Sequence, residues 1–187
     1  MPRYNDDTGS DLPDIKRFIT THDEDGKATF YAPTTELEQV NLKFSDVAAM
    51  HVHYSTTEFP VRFGGNQDLN AYLNPSAPET LANKNGTVAR MVDIKPGSQS
   101  PMHRTESLDY GLVLEGEIDL VLEDFETGPV RHMRRGDVSV QRGTMHAWRN
   151  TSPDEWCRMF YVLVDAELPR FGDKELKEDL GGIELPK

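Results

Sequence analysis

His103, Thr105 and Asp109 are all odd-numbered, so along an extended segment their side chains leave the same face. His146 lies farther along the chain, with Trp148 at the same parity beside it. Two imidazoles and one carboxylate that converge would bind a divalent metal ion (Fe, Zn, Mn or Ni) and leave positions open for a substrate. The same groups also suit proton transfer without a metal. An imidazole titrates near neutrality, so His103 and His146 would act as acid and base while Asp109 orients one ring. Thr105 lines up with them but offers a neutral hydroxyl, a poor ligand for a transition metal. Arg90, Gln141 and Trp148 are further candidates for the wall of such a pocket.

Short strands must carry these residues. Thr87 to Ile94 alternates in polarity and stops at Pro96-Gly97, and Leu108 to Leu114 stops at Glu115-Gly116. Ile118, Leu120 and Leu122 share one face, opposite Glu117, Asp119 and Glu123. Segments 130–133, 138–140, 145–149 and 158–164 continue the series, spaced by Gly and Pro as in an all-β sandwich or barrel. Upstream, Ile15 to Ile19 and Thr29 to Tyr31 are predicted strands flanking the turn Asp23-Glu-Asp-Gly26, and Val47 to Tyr54 another. Residues 66–86 are expected to be a long irregular connection. The charged run after Phe171 is expected to form one exposed helix or a tail. Residues 1–86 would be an N-terminal extension packed on the barrel, 87–165 the barrel core and 166–187 the tail, together one folded domain.

Composition narrows the partners. Against 20 Lys and Arg stand 32 Asp and Glu, a formal net charge of −12. Such a charge repels phosphate backbones and anionic lipid surfaces, so neither nucleic acid nor membrane is expected as a partner. No apolar run approaches the ~18 residues of a membrane span. Cys157 is the single cysteine, which excludes an intrachain disulfide and fits a reducing, cytoplasmic location. Its expected role is that of a small apolar residue at the start of a buried strand.

Gly97, His103, Thr105, Asp109 and Gly116, then Gly136, Gly143, His146 and Asn150, resemble the two signature motifs of the cupin superfamily. Two positions depart from the pattern: Thr105 stands where the family usually has a second histidine, and Asp109 where it has glutamate. The resemblance implies an antiparallel double-stranded β-helix, or jelly roll, with the active site inside the barrel, and often a homodimer. His51 and His53, with Glu58, imitate the first motif locally, but no glycine precedes them and Pro60 interrupts the next strand.

The resemblance fixes a pocket more firmly than a reaction. With an imidazole position lost to Thr105, the expected function is a lyase or isomerase that dehydrates, cyclises or isomerises a small metabolite by histidine acid–base chemistry. Trp148 suits an aromatic or cyclic substrate. The alternatives are a mononuclear Fe(II) dioxygenase built on His103, Asp109 and His146, and a non-catalytic binder of small ligands.

Overall fold

A computed structural model describes residues 12–31, 42–75 and 80–183. Two antiparallel sheets carry the molecule. The larger contains β3 (Leu42–Phe44), β4 (Ala48–Thr56), β5 (Thr87–Ile94), β11 (Cys157–Asp165), β6 (Ser107–Glu115) and β9 (Val138–Arg142), in that spatial order. The smaller contains β10 (His146–Arg149), β7 (Glu117–Leu122) and β8 (Val130–Arg134). This is the jelly-roll barrel that the short alternating strands imply. Sequence neighbours are split between sheets, and β11 returns to lie between β5 and β6.

The core forms where the inward faces meet. Val88 and Ile94 of β5, Val113 of β6 and Met159, Tyr161 and Leu163 of β11 pack against Ile118, Met133 and Trp148 of the smaller sheet. Each strand places alternate residues inward, which is why apolar residues recur at every second position. Cys157, at the start of β11, is fully buried, and burial pushes its thiol up to about 12, so it behaves as a packing residue.

Strand β4, although upstream of residue 87, pairs with β5 from Ala48↔Ile94 to Thr56↔Thr87 and so belongs to the main sheet. On the sheet's outer face, Arg158 grips Asp93 through two 2.6 Å bonds, and His51 lies 3.8 Å from the same carboxylate. Arg158 also donates to the Pro13 carbonyl at 2.6 Å, which pins the N-terminal part of the described chain against this face.

Two expectations need correction, and the alternative of helix or tail at the C-terminal end is decided. The first hairpin is β1 (Thr20–His22) with β2 (Ala28–Phe30), so its opening strand begins after Ile19. The Asp23–Gly26 turn closes with a 3.0 Å bond, and the paired residues must flank it directly. Within 66–86, residues Gln67–Leu73 form a short helix, α1. It is held by buried Leu69, by Tyr72 stacking at 4.7 Å on Tyr54, and by a 2.6 Å bond from Tyr54 to Asp68. The charged run after Phe171 is not helical. It forms a tight hairpin, β12 (Arg170–Phe171) with β13 (Lys174–Glu175), turned by Gly172 at φ +60°, and then crosses the barrel rim as an extended segment. The run lacks the apolar stripe that would hold a helix against the barrel. Among the described residues, no helix is long and apolar enough to cross a membrane.

Candidate active site

The barrel encloses a cavity of about 560 Å³. Apolar side chains from β4, β5 and β11, including Met50, Val92 and Leu163, form most of its wall, and Arg90, His103, Thr105, Asp109, His146 and Trp148 line it as well. Six of the seven predicted pocket residues are therefore brought together. Gln141 is the exception. It is buried opposite Asp109 in the β6–β9 pairing but does not line the cavity. His51 and His53 do not line it either, because they belong to the opposite face of β4.

His103 lies just ahead of β6 and His146 opens β10. They meet in an isolated antiparallel bridge, each backbone amide donating to the other's carbonyl at 2.8 and 2.9 Å. The ring centroids are 4.2 Å apart. Each ring is also held by its own loop, since His103 Nδ1 is 2.9 Å from the Pro101 carbonyl and His146 Nδ1 is 3.0 Å from that of Thr144. A carbonyl only accepts, so both Nδ1 atoms carry the proton and both Nε2 atoms keep a lone pair. Burial lowers the proton affinity of both. For His146 it does so to about 3, with help from the neighbouring His103, and the Thr144 carbonyl opposes this only partly. The resting pair is two neutral imidazoles.

Asp109 hydrogen-bonds neither ring, so the orienting contact expected from the sequence is not made; its carboxylate is held by its own strand neighbours. Its Oδ1 is 2.5 Å from Ser107 Oγ, and its Oδ2 accepts a long 3.5 Å contact from Thr105. Ser107 Oγ is in turn 2.7 Å from Thr105 Oγ1. One hydroxyl has one proton, so Ser107 cannot donate to both neighbours at once, and the direction of the chain depends on the ionisation of Asp109. Burial raises that carboxyl to about 6, against the bonds from Ser107 and Thr105 and the charge of Arg90. Arg90 donates to the carbonyl oxygens of Thr80 and Leu81 at 3.0 and 2.5 Å, tying the loop ahead of β5 to the cavity.

Two contributors are absent from the sequence-based set. Ser107 shares the odd parity of its neighbours, so alternation alone marks it. Tyr161 obeys the same rule on β11, and its ring rests over Gly111, where a Cβ would come within 2.9 Å of it. From Tyr161 a line of rings runs along the wall: Trp148 at 5.6 Å, His146 a further 5.9 Å, then His103. The first two of these contacts are edge-to-face and hold Trp148 and His146 against rotation, while the two imidazoles meet at a tilt.

Two imidazoles with free Nε2 atoms are good metal donors, but the third expected donor is not with them. Asp109 is engaged by Ser107, and among the described residues no group of three His, Cys, Asp or Glu side chains is arranged to hold a metal ion. The two-histidine, one-carboxylate set does not fit this arrangement.

Residues 90–163 match the cupin domain family. The chain is 40% identical over 168 residues to phomopsin biosynthesis cluster protein C' of Diaporthe leptostromiformis, covering 89% of this chain and 87% of that one. The chain belongs to the cupin family. It is also 38% identical to a cupin-domain-containing oxidoreductase, srdB, of Neurospora crassa, over 91% of this cupin and 83% of the relative. Among solved structures, a cupin domain from Schizosaccharomyces pombe is similar with a TM-score of 0.47 and 13% identity, over 82% of this cupin and 89% of that chain. The relatives of this cupin thus include biosynthesis-cluster proteins and oxidoreductases built on the same domain.

Proposed function

We propose that this cupin is an enzyme of small-molecule biosynthesis that moves protons on a compact, largely apolar ring compound, as a lyase or isomerase. The observation that carries this reading is the His103–His146 pair. Two imidazoles are fixed through Nδ1 on backbone carbonyls, leaving two unprotonated Nε2 atoms at the cavity wall. An Nε2 atom takes a proton from an acidified carbon or hydroxyl of the substrate, and the second ring, 4.2 Å away, disfavours the resulting charge, so the proton is held briefly and passed on. Asp109, a carboxyl that titrates at about 6, returns a proton at another point of the same cavity. The apolar wall excludes water from the exchange, and the edge of Trp148 favours a flat or cyclic substrate.

A direct test is solvent exchange. The protein is incubated in heavy water with simple cyclic ketones and substituted phenols, and deuterium uptake at carbon above the protein-free rate is monitored by mass spectrometry. Uptake that disappears in His146→Ala supports the reading. Absence of uptake together with protein-dependent oxygen consumption overturns it.

A second reading, an oxidoreductase, is favoured by the names of relatives such as the one from Neurospora crassa. In that case a divalent ion on the Nε2 atoms of His103 and His146 would supply the redox chemistry. Elemental analysis of protein purified without chelators separates the two readings. Near-stoichiometric metal that is absent from His103→Ala favours the second, and metal-free protein that retains exchange activity favours the first.

A further inference from the structure

Three separate loops each contribute a large apolar residue that lines the cavity and keeps some exposure: Val47 ahead of β4, Phe125 between β7 and β8, and Ile183 at the end of the crossing C-terminal segment. Trp148, His146 and Leu163 line the same cavity and are buried, so these three loop residues lie toward its mouth. Ile183 stands apart from the other two because its loop is fastened to Arg104, the residue next to His103. The Arg104 amide donates to the Asp179 carbonyl at 2.6 Å and the Asp179 amide to the Arg104 carbonyl at 2.9 Å. The Arg104 guanidinium adds a 3.2 Å bond to the Lys177 carbonyl. Residues 103 and 104 therefore exchange backbone bonds in two directions, with His146 inside the barrel and with the crossing segment outside it.

After Asp179 the chain reverses. The Gly181 amide donates to Asp179 Oδ1 at 3.1 Å, and the Ile183 amide to the Leu180 carbonyl at 2.8 Å. Gly181 has φ +57°, and a Cβ there would lie 2.0 Å from the Met102 carbonyl oxygen. Only glycine lets the turn press this closely on the residue beside His103. Backbone contact of this kind delivers Ile183 to the cavity wall, although its neighbours Gly181 and Gly182 are exposed.

The geometry points to Ile183 as a specificity-determining residue: carried by the Asp179–Ile183 turn, it closes the mouth and sets the largest ring the cavity admits. This rests on the reading of the cavity as the substrate site, and it concerns binding rather than proton transfer. Without the turn the mouth would be bounded on that side by Met102 and Pro101, which lie against Gly181, and the opening would widen.

Calorimetric titration with phenol and 1-naphthol, one ring against two, tests the assignment on the full chain without any turnover. Ile183→Trp should weaken 1-naphthol about fivefold or more while leaving phenol within about twofold, and Ile183→Ala should shift the ratio the other way. Gly181→Ala, which must lift the turn, should behave like Ile183→Ala. Its circular dichroism spectrum reports whether the barrel is intact, and Ile183→Trp keeps the question decidable if it is not. A naphthol-to-phenol ratio unchanged in both Ile183 variants overturns the assignment and leaves the acid–base reading standing. Failure of both compounds to bind the unsubstituted protein overturns the assignment together with the cavity's role as a substrate site.

Discussion

His103, just ahead of β6 of the larger sheet, and His146, at the start of β10 of the smaller, exchange both backbone bonds, at 2.8 and 2.9 Å, so neither backbone position can shift without the other. The pair is a mechanical unit as well as a chemical one. Substituting either histidine by alanine should lower turnover by about 10²–10⁴-fold, the range typical of a lost acid–base group. The double variant should fall little further than the single ones, since the members of a unit are not additive. A double-mutant cycle on the exchange reaction measures this. Losses that simply multiply would mean the two rings act independently.

Asp109 should make stability depend on pH in an unusual direction. Its carboxyl titrates at about 6 in the fold, above its ordinary value of 3.8, because burial penalises the charge. The folded state thus holds this proton more tightly than the unfolded chain does. The benefit is complete below about pH 4 and is lost as pH rises through about 6, a loss on the order of 2–3 kcal/mol. Asp109→Asn keeps the shape and removes the titration. Urea denaturation should find the variant close to the unsubstituted protein at pH 4 and more stable at about pH 7.5. Equal stabilities at the higher pH would contradict the argument.

The outer face of the main sheet depends on Arg158. Burial alone would raise Asp93, but the two bonds from Arg158, with His51 nearby, hold its carboxyl below the usual value. That stabilisation is present above about pH 4 and is lost as pH falls through the lowered value. Arg158→Leu leaves a buried carboxylate without its partner and should cost about 3–5 kcal/mol at neutral pH. Replacing Asp93 by leucine as well should recover much of the loss, as denaturation midpoints of the single and double variants would show.

Gly116 and Gly136 separate two reasons for needing glycine. Both have positive φ, +72° and +92°, but a Cβ at Gly116 would lie 2.6 Å from the Trp156 carbonyl oxygen, whereas at Gly136 it would meet nothing within 4 Å. Gly136→Ala should cost about 1 kcal/mol for backbone conformation alone, and Gly116→Ala at least twice that. Thermal melts of the two variants decide the matter, and equal losses would remove the steric part of the explanation.

The barrel strands are legible in the sequence because each is half-buried and alternation writes burial directly into residue type. Thr87–Ile94 is the clearest case, observed at the predicted limits. The same parity rule finds His103, Thr105, Asp109 and Trp148, and applied more widely it also marks Ser107 and Tyr161. It fails for Gln141, since parity says which face a residue takes and not how far along the strand the cavity extends. Helix α1 escapes it because one buried leucine and a tyrosine stacked on β4 support that helix, and both are tertiary contacts. The crossing tail escapes for a related reason: its partners are backbone groups of Met102 and Arg104, which leave no trace in side-chain pattern.

The reciprocal bridge between His103 and His146 separates what must be kept from what is free to vary. The rings are set by four backbone carbonyls, those of Pro101, Thr144, His103 and His146, and by no side chain of the mouth. Val47, Phe125 and Ile183 sit on three loops that can lengthen or change residue by residue while the pair stays in place. A lineage built on this barrel can therefore exchange its entrance repeatedly and inherit its reactive centre intact.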